Sequence, residues 1–174
     1  MKLLQTISDG NFFPDNPGVP IKNREVVRTA VRAILYNDAG GIALVGETYL
    51  VLPGGGQKAG ESLEDTIRRE ILEEIGCEIT IVDEVGKVCE ERNSTGEVQE
   101  SYCFAAKIAK EGEPETMQAD EKCMSIRWCT PTEALRTLDA EYESLTGREY
   151  HAYFNIEVSR IFLKAVCHEM LHRS

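Results

Sequence analysis

Four carboxylates crowd one stretch of the chain, Glu61, Glu70, Glu73 and Glu74. On a helix, Glu70 and Glu74 would stand one above the other at i,i+4, with Glu73 on the adjoining flank. Like charges at that spacing destabilise a helix by about 0.2–0.5 kcal/mol per pair. A helix meant only for packing would alternate Glu with Lys. Arg69, four residues before Glu73, can neutralise one carboxylate but not all of them. Hard divalent cations take oxygen ligands, typically one or two carboxylates with water and substrate phosphate completing the shell. Metal binding would relieve the conflict, whereas the plainer reading is a solvated acidic face.

The surrounding residues supply the elements that would hold these groups. The stretch Gly54 to Cys77 reads GGGQKAGESLEDTIRREILEEIGC, a glycine loop running into a helix. Ser62 and Asp65 predict a capping box that starts the helix near Leu63, and Gly76 suits the left-handed C-cap. Leu63, Ile67, Ile71 and Ile75 form its core-facing stripe. Upstream, Glu25 to Tyr36 has period two: Val27, Thr29, Val31, Ala33 and Leu35 share one face, Arg28 and Arg32 the other. Asn37 to Gly41 is turn chemistry, so a hairpin returns along GIALVGE, and Tyr49 to Leu52 reads as a short strand stopped by Pro53.

Gly55, five residues, Glu61, seven residues and then Arg69-Glu70-Ile71-Leu72-Glu73-Glu74-Ile75-Gly76-Cys77 resembles the Nudix box from end to end. Cys77 departs from the aliphatic residue usual there, and a buried thiol is a small apolar substitute. The resemblance implies a pyrophosphohydrolase that uses Mg²⁺ or Mn²⁺ to cleave a nucleoside diphosphate linked to another moiety: a nucleoside triphosphate, a nucleotide sugar or an ADP-ribose-like compound. It also implies an α/β Nudix fold, a mixed curved sheet between helices. By the same likeness Glu70 and Glu74 are metal ligands and Glu73 a ligand or partner to a further ion. The Gly54 or Gly55 carbonyl completes the shell. Arg69 orients the carboxylates, and Glu61 orients or binds metal-linked water. Glycine at 54, 55 and 56 lets diphosphate oxygens approach the backbone.

The general base is expected from the box or from the acidic loop of residues 110–122, where Glu121 is the choice ahead of Glu111, Glu113, Glu115 and Asp120. Arg28 and Arg32 could meet substrate phosphate, since guanidinium matches phosphate geometry. Exposed arginines paired with surface acids are the alternative.

Beyond the box, Glu78–Glu91, Val98–Ala109 and Met124–Cys129 read as strands. A helix starts at Pro131 behind Thr130, and Tyr153–Leu171 reads as a C-terminal amphipathic helix. Residues 1–24, rich in Asn, Pro, Gly and Asp, read as an irregular lead-in that Phe12 and Phe13 could anchor. Residues 25–174 read as a single domain.

The chain has 174 residues and a net charge of −11, from 30 acids against 19 bases. That balance disfavours nucleic acid and anionic membranes as partners, and leaves open a nucleotide-type substrate bridged by metal. No apolar run suggests a membrane span or signal peptide, so a cytoplasmic protein is expected. A homodimer is left open. Six cysteines without a CxxC pair read as reduced thiols.

Three motifs in the chain are decoys. GGQKAGES fits a P-loop, except that Glu61 stands where the lysine belongs. His168-Glu169-Met170-Leu171-His172 matches a zincin motif, with His151 the one other histidine. Tyr102 and Phe104 could stack on a base but fit an alternating core strand. The rival from another class is a Nudix-fold nucleotide sensor without turnover, and isomerisation of an isoprenoid diphosphate would need a cysteine in a pocket.

Overall fold

The computed structural model describes residues 1–112 and 125–172, with side chains as far as His168. Seven strands are present: β1 (Leu3–Ser8), β2 (Val26–Tyr36), β3 (Ile42–Gly46), β4 (Gly54–Gly56), β5 (Glu78–Arg92), β6 (Glu97–Lys110) and β7 (Ser125–Cys129). With them stand three α-helices, α1 (Leu63–Ile75), α2 (Pro131–Ser144) and α3 (Tyr150–His172). The strands form one mixed sheet in the order β1-β5-β6-β2-β3-β7, and β4 pairs with β2 off that path. β1 on β5 and β2 on β6 are parallel, and the other pairings are antiparallel.

Both faces of the sheet are covered. Val31, Ala33 and Leu35 of β2 pack with Ile67, Ile71 and Ile75 of α1, while Ile34 joins Leu138 of α2 and Phe154 and Phe162 of α3. Full burial of a branched apolar side chain contributes about 1.5–3 kcal/mol, so Ile67 and Ile71 anchor α1 firmly. The alternation along β2 is therefore not core against solvent: Ala30 and Ile34, between the expected core positions, are buried too. Val27, placed on the core face from its spacing, is 61% exposed, because β2 bulges between Val26 and Arg28.

Local chemistry sets α1 as its sequence predicts. Ser62 Oγ accepts the Asp65 N–H, the Asp65 carboxylate takes the Ser62 N–H in return, and Gly76 closes the helix at φ 81°. Thr130 and Glu133 form the same box at the start of α2.

Two local expectations need correction. The lead-in over residues 1–24 is not irregular throughout, because Leu3–Ser8 joins the sheet parallel to Lys87–Glu91. LLQTIS carries no clean period two, and a long-range partner stabilises it. Within reach of β1, Gly86 of β5 sits at φ 146°, where a Cβ would lie 2.7 Å from the Leu4 side chain. The segment after β1 is anchored as the aromatic residues suggest: Phe12 lies 4.7 Å from Phe154 and Phe13 stacks on Tyr150 at 5.8 Å. Buried Asp9 accepts the N–H groups of Asn93 and Ser94 and the Tyr150 hydroxyl. The second correction concerns residues 49–56. Within Tyr49–Leu52 only Val51 pairs, with Val45, and the glycines expected as loop are themselves β4. No helix among the described residues is long and apolar enough to cross a membrane.

Candidate active site

β4 runs antiparallel to β2, with Val31 opposite Gly55 and Arg32 opposite Gly54. α1 packs alongside it and lays its carboxylates against the glycines. A Cβ on Gly55 would sit 2.5 Å from the Glu70 carboxyl carbon and both its oxygens, so the missing side chain is the space Glu70 occupies. Gly54 has φ 133° and a Cβ there would meet the Val31 carbonyl at 2.1 Å, so this position requires glycine. The Gly54 N–H donates to Glu74 Oε2 at 2.8 Å.

Arg69 gathers the rest. Its Nε donates to Glu61 Oε1 at 2.7 Å and its Nη2 to Glu61 Oε2 at 3.1 Å and to the Gly56 carbonyl at 3.0 Å. Nη1 reaches Glu70 Oε1 at 2.7 Å and Glu73 Oε2 at 3.0 Å. One guanidinium thus ties three carboxylates to β4, and these bonds, led by that to Glu61, raise its own pKa. Hydrogen bonds from Arg69 and from the Lys58 N–H bring Glu61 down to about 2. Glu74 behaves oppositely. Burial pushes it up to about 7, against the lowering effects of the Gly54 N–H and Arg32 and with the help of Glu70 and Glu73.

Of the residues singled out in the sequence, the structure brings Glu61, Arg69, Glu70, Glu73, Glu74, Gly54, Gly55 and Gly56 into one place. Glu121 lies outside the described residues. Arg32 is already engaged: its Nη1 donates to the Gly54 carbonyl at 2.5 Å and its Nη2 to Asn155 Oδ1 at 3.4 Å. Arg28 lies at the other end of β4 with its Nη2 3.6 Å from where a Gly56 Cβ would be. The P-loop resemblance of residues 55–62, already set aside for Glu61, also fails on geometry, since its first two glycines, Gly55 and Gly56, belong to the paired strand β4. Of the zincin motif, His168 is described and exposed, whereas the side chains of residues 169–172 lie outside the described set. Phe104 is core, and the Tyr102 hydroxyl bonds Glu100.

Sequence reasoning missed three contributors. Asn155 of α3 receives Arg32 and donates to the Tyr49 hydroxyl at 3.1 Å; it lies 123 residues from Arg32, where no local pattern could signal it. Thr66 donates to Glu61 Oε2 at 3.0 Å. Lys58, one of three cations with Arg68 and Arg69 in an acid-rich box, stands 3.5 Å from Glu73.

Two cavities lie at the ends of β4. One of about 260 Å³ is lined by Arg32, Glu47, Thr48, Tyr49, Glu74 and Asn155. The other, of about 370 Å³, is lined by Arg28, Thr29, Gln57, Lys58 and Glu61 among others.

A model of the NUDIX domain matches residues 26–148. The chain belongs to the Nudix family. With every charged residue of the box in place, this Nudix protein is a pyrophosphohydrolase by class. Its fold is shared by solved structures of low sequence identity. A NUDIX hydrolase from Nitrosomonas europaea matches with TM-score 0.55 at 18% identity, over 76% of this chain and 90% of its own. The MutT protein from Methanosarcina mazei matches with TM-score 0.53 at 20% identity, over 78% and 96%. A UDP-X diphosphatase matches with TM-score 0.52 at 18% identity, over 86% and 68%. No curated protein matches the chain.

Proposed function

We propose that the Nudix protein is a metal-dependent hydrolase that cleaves the diphosphate bond of a nucleoside diphosphate linked to another moiety, by attack of water on phosphorus. The observation that carries this reading is the Arg69 clamp, which holds Glu61, Glu70 and Glu73 on the glycine strand beside Glu74.

The donor set fits a hard divalent cation. Among the described residues no three His, Cys, Asp or Glu side chains close on a single point. An ion that keeps water and substrate in its shell needs fewer protein ligands than that. Glu70 and Glu74, with Glu73 beside them, would hold Mg²⁺ or Mn²⁺, joined by the second lone pair of the Gly54 carbonyl, whose first is taken by Arg32. A cation there supplies charge neutralisation for phosphate and a more acidic bound water. The chain's own groups do the rest. Arg69 keeps the carboxylates aimed and Glu61 anchors Arg69 in return. Arg32 holds the Gly54 carbonyl from the α3 side, a positioning role rather than a direct grip on phosphate. Water activation falls to Glu121 on the sequence grounds given above.

Glu74 makes metal binding depend on protons. Without metal its carboxyl is largely protonated below about pH 7, and ligation needs the carboxylate. Affinity for Mn²⁺ should therefore rise with pH up to about 7 and level off above it. At pH 6 binding should release a proton from Glu74, read by isothermal titration in two buffers of different ionisation enthalpy. Heats that are equal in both buffers would contradict the assignment.

The reading is tested by a phosphate-release screen with Mg²⁺ and Mn²⁺ over nucleoside triphosphates, UDP-sugars, ADP-ribose and dinucleoside polyphosphates, with coupled phosphatases so that every product is seen. Turnover that EDTA abolishes is the expected result. Silence across the panel, with thermal stabilisation by one nucleotide, would favour the sensor instead.

A further inference from the structure

The cavity at the Gly56 end of β4 shares only Glu61 with the mechanism above, and its lining carries more positive than negative charge. Two cations, Arg28 and Lys58, line it against one carboxylate, Glu61. That carboxylate is already spent. Its Oε1 accepts from Arg69 Nε, and its Oε2 from Arg69 Nη2, the Lys58 N–H and the Thr66 hydroxyl. Arg28 has no hydrogen bond or ion pair among the described residues, in a chain of net charge −11. Lys58 is 62% exposed and meets Glu73 only at 3.5 Å. The Arg28 guanidinium lies against Gly56, one residue along the strand from Gly55, where the Glu70 carboxylate rests. No aromatic ring lines the cavity, so nothing there would stack a base, and Thr29 and Gln57 add polar side chains. A free guanidinium beside an ammonium fits a phosphate group, which accepts bidentate and point-charge contacts respectively.

We propose that Arg28 and Lys58 form a subsite for the terminal phosphate of the substrate, one step beyond the bond that is cleaved. The enzyme then favours substrates that end in a free phosphate, of the nucleoside triphosphate kind, over nucleotide sugars. The substrate preference rests on the hydrolase reading; the phosphate site itself does not.

Two arms test it, using wild type and the double variant Arg28→Met/Lys58→Met. In the first, inorganic tripolyphosphate is titrated calorimetrically into the metal-free protein. Wild type should bind with amide NMR shifts centred on residues 57–61, and the double variant should bind at least about tenfold more weakly. Arg136→Met, which removes an exposed cation from α2, should bind like wild type. A wild type that does not bind, or an equal loss in Arg136→Met, would overturn the subsite. In the second arm, the ratio of kcat/KM for a nucleoside triphosphate to that for UDP-glucose should fall at least about tenfold in the double variant, through KM. An unchanged ratio overturns the preference. Tripolyphosphate binding at these residues with no hydrolysis of any substrate would sink the hydrolase reading and leave the phosphate site standing.

Discussion

Gly55→Ala should cost at least about 100-fold in kcat/KM while leaving the protein folded. A methyl group at residue 55 would lie 2.5 Å from all three atoms of the Glu70 carboxyl group. The displaced group is the end of a flexible side chain, so the fold escapes strain by swinging Glu70 off the strand. That breaks its 2.7 Å bond to Arg69 and removes a candidate metal ligand. Misplacing a reacting group by about 1 Å can cost 100-fold. Urea melts beside kinetics on the best substrate separate the two effects, and near-normal turnover would show that Glu70 does not need its place against Gly55. Gly54→Ala is a different experiment, since its clash is with the Val31 carbonyl and the pairing of β4 itself would fail.

Glu74→Gln should lower turnover by about 10²–10³-fold, the scale of losing one preorganised charged contact, and should stabilise the metal-free protein at pH 8. The sign follows from its pKa, about 7 in the folded state against an ordinary 4.5. A raised carboxyl favours folding fully below 4.5, and that contribution is lost as pH rises to about 7. Above it the ionised group costs on the order of 3 kcal/mol. Glutamine keeps the shape and can still accept the Gly54 N–H, but carries no charge to bury. Denaturant midpoints at pH 5 and pH 8 without metal give the comparison. A variant no more stable than wild type at pH 8 would show that Glu74 is not held against its ionisation, and undiminished turnover would remove it from the metal site.

The parts of this molecule legible in its sequence are those whose causes are local. Ser62, Asp65 and Gly76 lie within one helix and its caps, so α1 is found at its true ends, and the Glu70–Glu74 flank follows from helical spacing alone. The strands of the β5–β6 hairpin were visible because the turn at Asn93–Gly96 separates two alternating runs. What stayed hidden is set by distant partners. β1 has meaning only once β5 and Gly86 are beside it. Arg32 reads as an exposed strand residue until α3 brings Asn155 to it. The glycines of β4 look like a loop because glycine is a poor strand former, and here they pair so that α1 can come close. Lys58 lies within the box, yet its value depends on Arg28, which a bulge and a strand pairing place nearby.

The attachment of β1 bears on the order in which this chain assembles. β5 and β6 are joined by a short turn, and the box helix folds on its own caps, so these pieces need little loop closure. β1 and the following Asp9 must find Asn93, 84 residues away. Contacts that distant bring their reward only after the intervening chain is ordered. The first strand in sequence is thus expected to be the last to dock, and the first to lift off when the native state opens.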